Sequence, residues 1–262
     1  MLDSFLIYSI LTGIAIAASL CPLGCVVLWR KMPYFGDAVS HSAVLGIVLG
    51  LMLRIDTTIA IMVVSVVFSI LLISMKDLVS NVMMVIISYS FLALGLFLLP
   101  FLIENTQVDI YSYLFGDILL VGMSEMNVII AASILVLTWL YLRWQKLLMI
   151  AINKDIAHVD GINTKRVDFE FFIITSFMIA IAIKIVGVML IASMLVVPAA
   201  SARNVSVSPS GMLVKSIIFG SSAVSIGIYV SYLIDGPSGP SIVLASVVLF
   251  CFSTFLKRKE LY

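Results

Sequence analysis

Residues 4–29 have the sequence SFLIYSILTGIAIAASLCPLGCVVLW, which contains no Asp, Glu, Lys or Arg. A helix needs about 20 predominantly apolar residues to cross the hydrocarbon core of a bilayer. Further charge-free runs are long enough, or nearly long enough, to do the same: 57–75, 78–103, 126–142, 185–202, 216–234 and 236–256. The chain is therefore expected to be an all-α, polytopic transmembrane protein.

The composition of the whole chain agrees with that class. Apolar residues make up 63% of the sequence and charged residues 11%, against roughly 45–50% and 25% in soluble proteins. The 15 basic and 14 acidic residues nearly cancel, so no strongly basic surface indicates nucleic-acid binding. Secreted, disulfide-stapled and nucleic-acid-binding classes are thereby excluded, and the lipid bilayer is the expected environment.

Two segments with isolated charges add to the count of crossings. Residues 34–53 are apolar apart from Asp37 and His41, and residues 170–186 are apolar apart from Glu170 at their start and Lys184 near their end. The predicted crossings then lie near 5–29, 34–53, 57–75, 81–103, 126–142, 170–186, 187–202, 213–234 and 240–256. These are nine segments, and eight crossings remain the alternative because a run of about 15 residues can be re-entrant.

The distribution of basic residues orients these crossings. With the N-terminus outside, 13 of the 15 Lys and Arg residues fall on cytoplasmic segments, and the exceptions are Arg54 outside and Lys184 in the membrane. Cytoplasmic enrichment of Lys and Arg sets the orientation of a membrane protein. A single crossing over 170–202 would place the basic run 257–259 outside, so nine crossings with a cytoplasmic C-terminus are preferred.

Asp37 and His41 are the ionisable residues of the second predicted crossing. Their spacing of four puts both side chains on one face of a helix, with Cβ atoms about 5–6 Å apart. Ionisable residues in membrane spans are costly and are functional candidates by default. A carboxylate with an imidazole is a natural ligand pair for a divalent transition metal. A hydrogen-bonded pair that locks two helices together is the alternative, and the residues alone favour neither.

Two ligands leave the shell of such a metal incomplete, since a closed structural zinc site has four. A transport site benefits from this, because the ion must bind weakly enough to leave again. Asp117, at the end of YLFGD in 113–117, is a candidate for an additional place on the metal pathway. A solvated acid in a loop is the alternative interpretation of Asp117.

No domain boundary interrupts residues 1–262, so a single transmembrane domain is expected. Its one long polar stretch is 143–170, on the cytoplasmic side. The sequence contains no Gly-x-x-x-x-Gly-Lys-[Ser/Thr] phosphate loop and no Gly-Lys pair at all. If ATP drives the activity of this chain, a separate subunit must bind the nucleotide.

A short capped helix is predicted within that polar stretch. Asn153 suits the N-cap, Asp155 the first turn and Gly161 the left-handed position after the last turn. Ile156 and Val159, three residues apart, give the helix an apolar face. Such a face would lie on the membrane surface or dock on a partner protein.

Four stretches resemble the membrane subunits of the bacterial ABC-type zinc, manganese and iron uptake permeases. They are LWRKMPYFGDAVSH at 28–41, YLFGD at 113–117, VGVMLIASMLVVPAASAR at 186–203 and GPSGPSIVL at 236–244. The Gly-Asp-x-x-x-His element and the Pro-Ala-Ala-x-x-Arg end are specific when they occur together. Over the whole chain, the sequence most resembles the zinc branch of this family.

This resemblance implies a fold related to the cobalamin-importer permeases and a homodimer in the bacterial inner membrane. It also implies a cytoplasmic ATP-binding subunit and a metal-binding protein that docks from outside. Asp37 and His41 match the family's metal-coordinating pair. Residues 153–163 match its coupling helix, which receives the closure of the ATPase.

The function implied is import of Zn²⁺ by a permease subunit that is not itself an enzyme and holds no permanent cofactor. Import of Mn²⁺ or Fe²⁺ by the same type of transporter is one alternative, since an Asp with a His does not separate these ions. A proton-coupled carrier without an ATPase is the other, and in it Asp37 and His41 would relay protons.

Overall fold

The computed structural model describes residues 2–74, 81–103, 116 and 118–256, and these residues form helices and short connections without a β-strand. The helices are α1 (Leu2–Trp29), α2 (Phe35–Leu53), α3 (Thr57–Ser74), α4 (Asn81–Leu98), α5 (Pro100–Ile103), α6 (Met123–Ile152), α7 (Lys154–Val159), α8 (Thr164–Val205), α9 (Pro209–Ile234) and α10 (Ser238–Phe255). A 3₁₀ turn, Ile118–Leu120, precedes α6. The predicted all-α class is confirmed.

Within this part of the chain, six helices are long and apolar enough to cross a membrane, namely α1, α2, α6, α8, α9 and α10. Helices α3 and α4 contain shorter apolar segments, Thr57–Leu72 and Val82–Leu98. The fourth predicted crossing, 81–103, is divided because a proline cannot continue a helix through its missing N–H, and Pro100 starts α5. The crossing predicted at 126–142 belongs to the longer helix α6, which runs on until Asn153 caps the next helix.

Helix α1 lies at the centre of the bundle and packs against α6, α8 and α9. Its side chains from Ile16 to Val27 are almost all fully buried. A Cβ on Gly24 would collide with the backbone carbonyl of Leu195, so the two backbones are in direct contact. Small residues allow such close approach between membrane helices, where van der Waals packing drives association.

Helix α8 contains 42 residues and is broken at Gly187, where φ is 77° and ψ is 162°. Glycine adopts this conformation readily because it has no Cβ. We call the two parts arm α8a (164–186) and arm α8b (188–205). The predicted division between the crossings 170–186 and 187–202 coincides with this glycine.

The two arms of α8 fold back on each other. Phe35 packs on Phe171 of α8a with ring centroids 6.1 Å apart, while a Cβ on the adjacent Gly36 would lie 2.8 Å from Cδ2 of Leu195 in α8b. A straight helix would separate residues 171 and 195 by about 36 Å. The chain therefore reverses at Gly187, and Phe171 of α8a and Leu195 of α8b both lie beside the first residues of α2.

Candidate metal centre

The turn between α1 and α2 positions the metal-ligand candidates. Lys31 has φ 58°, and the Met32 N–H donates to the Val27 carbonyl at 3.1 Å, which is the Schellman arrangement that ends helices. The Phe35 N–H donates to the Met32 carbonyl at 3.1 Å, and α2 begins there. Asp37 therefore lies in the first turn of α2, where the partial positive charge of the helix N-terminus stabilises a carboxylate.

Asp37 and His41 share one face of α2, as the sequence predicts. The distance from His41 Nε2 to Asp37 Oδ1 is 3.7 Å, and the side chains are 21% and 52% exposed, respectively. This is too long for a direct hydrogen bond. It is close to the roughly 3.4 Å that separates two ligand atoms of a tetrahedral zinc ion with its usual bond lengths. A small inward movement of either side chain would bring both atoms onto one ion.

The surroundings of the pair leave it open on one side. The ring of Tyr89 from α4 lies against the imidazole of His41 with centroids 5.6 Å apart. His41 Nδ1 is buried and has no hydrogen-bond partner among the described residues. Those residues also contain no group of three or more His, Cys, Asp or Glu side chains that could hold a metal ion. The described residues of one copy therefore provide two neighbouring ligands, Asp37 and His41, which leave the coordination shell of a metal ion incomplete.

Glycines at the contacts of α2 with α3 and α4 allow both neighbours to hold this helix in place. A Cβ on Gly46 would lie 2.6 Å from Cα of Ile61 in α3, and a Cβ on Gly95 of α4 would lie 3.1 Å from Cα of Leu45. Both neighbouring helices thus touch α2 nearly backbone to backbone. His41 is carried by this closely packed part of α2, which makes its position well determined.

Asp117 lies outside the described residues, so its place on the metal pathway stays a prediction. The preceding Gly116 has φ 66°, and a Cβ on it would collide with the peptide between Val186 and Gly187. Gly116 is thus at the reversal of α8, whereas the Asp37 end of α2 lies near Phe171.

The short helix predicted in the polar stretch is α7, and its ends are where the sequence places them. Asn153 Oδ1 accepts hydrogen bonds from the backbone N–H groups of Asp155 at 2.8 Å and of Ile156 at 3.3 Å. Gly161 has φ 77° and ends the helix in the left-handed conformation. The capping roles of Asn153 and Gly161 are confirmed.

The apolar face of α7 points away from the rest of the chain. Ile156 is 57% and Val159 85% exposed, while Ala157 is fully buried against the neighbouring helices. Exposed large apolar side chains on a short, capped helix form a surface that can dock on a partner or on lipid.

A buried ion pair that no sequence pattern predicts lies next to this helix. Arg30 Nη1 donates to Asp168 Oδ1 at 2.9 Å, and both side chains are only 3% exposed. Lys154 Nζ, on α7, lies 3.7 Å from the other carboxylate oxygen. Burial lowers the pKa of the Arg30 guanidinium, and the Asp168 carboxylate offsets part of that effect. Both residues are in polar segments that the sequence assigns to the cytoplasmic side. Because they are 138 residues apart in the chain, no local pattern predicts that these two opposite charges pair.

Comparisons with known proteins agree with this architecture. Residues 2–257 match the model of the ABC 3 transport family. The chain is 38% identical over 256 residues to the high-affinity zinc uptake system membrane protein ZnuB of Haemophilus influenzae, covering 97% of both chains. It is 30% identical to the manganese import system permease protein ScaB of Streptococcus gordonii, covering 98% of this chain and 93% of that one.

A solved structure has the same fold. PsaBC from Streptococcus pneumoniae in complex with Fab superposes with a TM-score of 0.87 at 27% identity, over 98% of this chain and 93% of that chain. The similarity thus extends over nearly the full length of the chain in both sequence and fold. The chain therefore belongs to the ABC 3 transport family: it is a multi-pass inner-membrane subunit of an ABC-type metal importer and is not itself an enzyme.

Proposed function

We propose that this chain imports Zn²⁺ and that Asp37 and His41 bind the ion during its passage. The observation that carries the proposal is the 3.7 Å separation between His41 Nε2 and Asp37 Oδ1 on one open face of α2. The comparisons support zinc as the cargo, because the relative named for zinc uptake is 38% identical and the one named for manganese import 30%.

The two side chains have different chemical roles. Asp37 supplies a negative charge that offsets part of the dication's charge, and His41 supplies a nitrogen ligand suited to a borderline metal such as zinc. Water or groups from a second copy would fill the remaining coordination positions. An incomplete protein shell keeps the affinity low enough for the ion to leave on the cytoplasmic side.

A homodimer would place this site between two copies of the chain. A carboxylate that is about half exposed does not face lipid, because ionisable residues in membrane spans face the interior of a bundle or a water-filled cavity. The neighbouring outward face of α4 is apolar and exposed along its length, at Val82, Ile86, Tyr89 and Phe97. A second copy packed near this surface would cover the apolar face and enclose the metal pathway.

The proposed topology has nine crossings, with the N-terminus outside and the C-terminus in the cytoplasm. They are α1, α2, α3, α4, α6, α8a, α8b, α9 and α10. The reversal at Gly187 supports separate crossings by the two arms. Basic residues at the Arg30 end of the bundle, including Lys154 and Arg166, support a cytoplasmic location for that end.

Helix α7 would then be the contact for the cytoplasmic ATP-binding subunit. Its exposed Ile156 and Val159 form an apolar face on the cytoplasmic side, which suits docking into a groove of a partner. A metal-binding protein outside would deliver the ion, and closure of the ATPase pair would switch the pathway from outward- to inward-facing. The chain itself needs no bound cofactor for these steps.

Metal uptake measured with radioactive zinc tests the proposal. Proteoliposomes would contain the chain with its ATP-binding subunit and metal-binding protein. Asp37→Asn, which keeps the size of the side chain and removes its charge, and His41→Ala should each reduce uptake by at least about 100-fold, since loss of one of two ligands costs several kcal/mol of binding. Asp56→Asn is the matched control, because this exposed carboxyl lies at the other end of α2.

Two results would contradict the assignment. Wild-type uptake by Asp37→Asn and His41→Ala would return the pair to a purely structural role. Uptake of radioactive manganese but not of zinc by the wild-type preparation would assign the transporter to Mn²⁺, which the relative from Streptococcus gordonii makes the second candidate.

A further inference from the structure

Asp168 connects the proposed ATPase contact with the turn that precedes the metal helix. One carboxylate oxygen accepts from Arg30 Nη1 at 2.9 Å, and the other lies 3.7 Å from Lys154 Nζ. Lys154 is the first residue of α7, whereas Arg30 lies directly after α1. Three segments that are far apart in sequence thus meet at one buried carboxylate.

Arg30 is firmly attached to the beginning of α2. The Arg30 N–H donates to the Val26 carbonyl at 3.0 Å, and the closed turn that follows brings the chain to Phe35 within five residues. The guanidinium of Arg30 lies over the ring of Phe171, 4.8 Å from its centroid. Phe35 packs on that same ring and on Phe172, with centroids 6.1 and 4.9 Å apart. A displacement of Arg30 together with this part of α8a therefore displaces the first turn of α2.

The first turn and the body of α2 carry different ligands. Asp37 is the third residue of α2 and follows the turn, while His41 belongs to the part that Gly46 and its neighbours hold against α3. A movement of the first turn alone changes the distance between the carboxylate and the imidazole. Metal–ligand distances tolerate only about 0.2 Å, so a shift of about 1 Å is enough to release an ion.

Stability alone does not account for this ion pair. Removing two charges from water costs several kcal/mol per ion, and well-packed apolar residues of similar volume are often as stable. The guanidinium is also incompletely paired, since Arg30 Nε and Nη2 have no hydrogen-bond partner in the described part of the chain. The unpaired N–H groups of Arg30 and a carboxylate shared by two cations allow these side chains to adopt two alternative arrangements. Switching transitions require such an element.

We propose that the Arg30–Asp168 pair, joined by Lys154, is a positioning link that passes movement of α7 to Asp37. The proposal rests on the function proposed above, in which α7 contacts the ATP-binding subunit. Closure of the ATPase moves α7 and draws Lys154 and Asp168 with it. Arg30 then moves the first turn of α2, Asp37 separates from His41, and zinc is released towards the cytoplasm.

The test measures zinc transported per ATP hydrolysed by the complete complex in proteoliposomes. The variants are Arg30→Met combined with Asp168→Leu, which replaces the pair by apolar side chains, and Asp168→Asn and Lys154→Gln singly. Arg166→Gln is the matched control, because this cation lies on the same arm but pairs with Glu170 at 3.1 Å. Zinc binding by the resting complex and binding after closure with a non-hydrolysed ATP analogue are measured as well.

The double variant and Asp168→Asn should lower the transport-to-hydrolysis ratio about tenfold, within the range usual for coupling between sites. Lys154→Gln should lower it about threefold, and Arg166→Gln should leave it unchanged. Resting zinc affinity should stay within about twofold of the wild type, while closure should no longer release the ion. A purely structural pair would not change release on closure.

A wild-type ratio in the double variant and in Lys154→Gln would overturn the proposal. If the double variant fails to assemble, Lys154→Gln decides, because its side chain is half exposed and its loss leaves the buried pair in place. Failure of the proposed function looks different, since the wild-type complex would then import no zinc. The variant Asp37→Asn is also distinguishable from the variants of the ion pair, because it removes zinc binding by the resting complex.

Discussion

Replacing Gly187 by alanine tests the reversal of α8, on which the position of both arms depends. The φ of 77° and ψ of 162° at this residue fall in a region of backbone conformation that is essentially restricted to glycine. A residue held there with a Cβ costs about 1–3 kcal/mol. The adjacent peptide lies against Gly116 and leaves the backbone little room to relax. We therefore expect the upper part of the range, about 2–3 kcal/mol.

Thermal unfolding of the purified complex in detergent measures this effect. Each kcal/mol lowers Tm by about 2–4 °C for a chain of this size, so Gly187→Ala should lower Tm by about 4–12 °C. Gly122→Ala is the matched control, since Gly122 has φ −87° and a Cβ there would meet nothing within 4 Å. Gly187→Asn should not restore stability, because the left-handed region that asparagine tolerates has ψ near about 47°.

An unchanged Tm and normal zinc uptake for Gly187→Ala would refute the reasoning. The backbone at residue 187 would then have no need of glycine, and a continuous α8 would replace the two arms. The contacts of Phe35 with Phe171 and of Gly36 with Leu195 could not both exist in that case, because the straight helix would separate their partners by about 36 Å.

Two further predictions concern α7 and Asp56, which lies between α2 and α3. Ile156→Asp or Val159→Asp should weaken binding of the ATP-binding subunit by about 2 kcal/mol, or roughly 30-fold, in a titration of the purified permease; unchanged binding would assign this face to the membrane surface. Backbone hydrogen bonds from Ile59 and Thr58 hold the pKa of the Asp56 carboxyl below its ordinary value. The stabilisation is therefore present above the unfolded-state pKa of about 3.9 and is lost as the pH falls through the lower folded-state value. Asp56→Ala should therefore lower Tm at pH 7 but have little effect at a pH low enough to protonate Asp56 in the wild type. An equal decrease in Tm at these two pH values would contradict this.

The candidate site was predictable in part. Asp37 and His41 are visible in sequence because charge inside an apolar run is costly and therefore conspicuous, and helical periodicity alone places them on one face. Their role in metal binding stays a prediction. Their spacing of 3.7 Å and the buried Nδ1 of His41 depend on the packing of α4 and α3 against α2, which no local pattern encodes.

The sequence by itself determined the helical class, the apolar segments and the ends of α7, because desolvation of the backbone and capping hydrogen bonds act over a few neighbouring residues. Only the tertiary structure decided three other features. The chain of α8 reverses at Gly187, the face of Ile156 and Val159 points outward, and Arg30 meets Asp168 beside the ring of Phe171. Each of these depends on which surfaces come together after the helices have formed, and complementary shapes and charges far apart in the chain leave no periodic trace in the sequence.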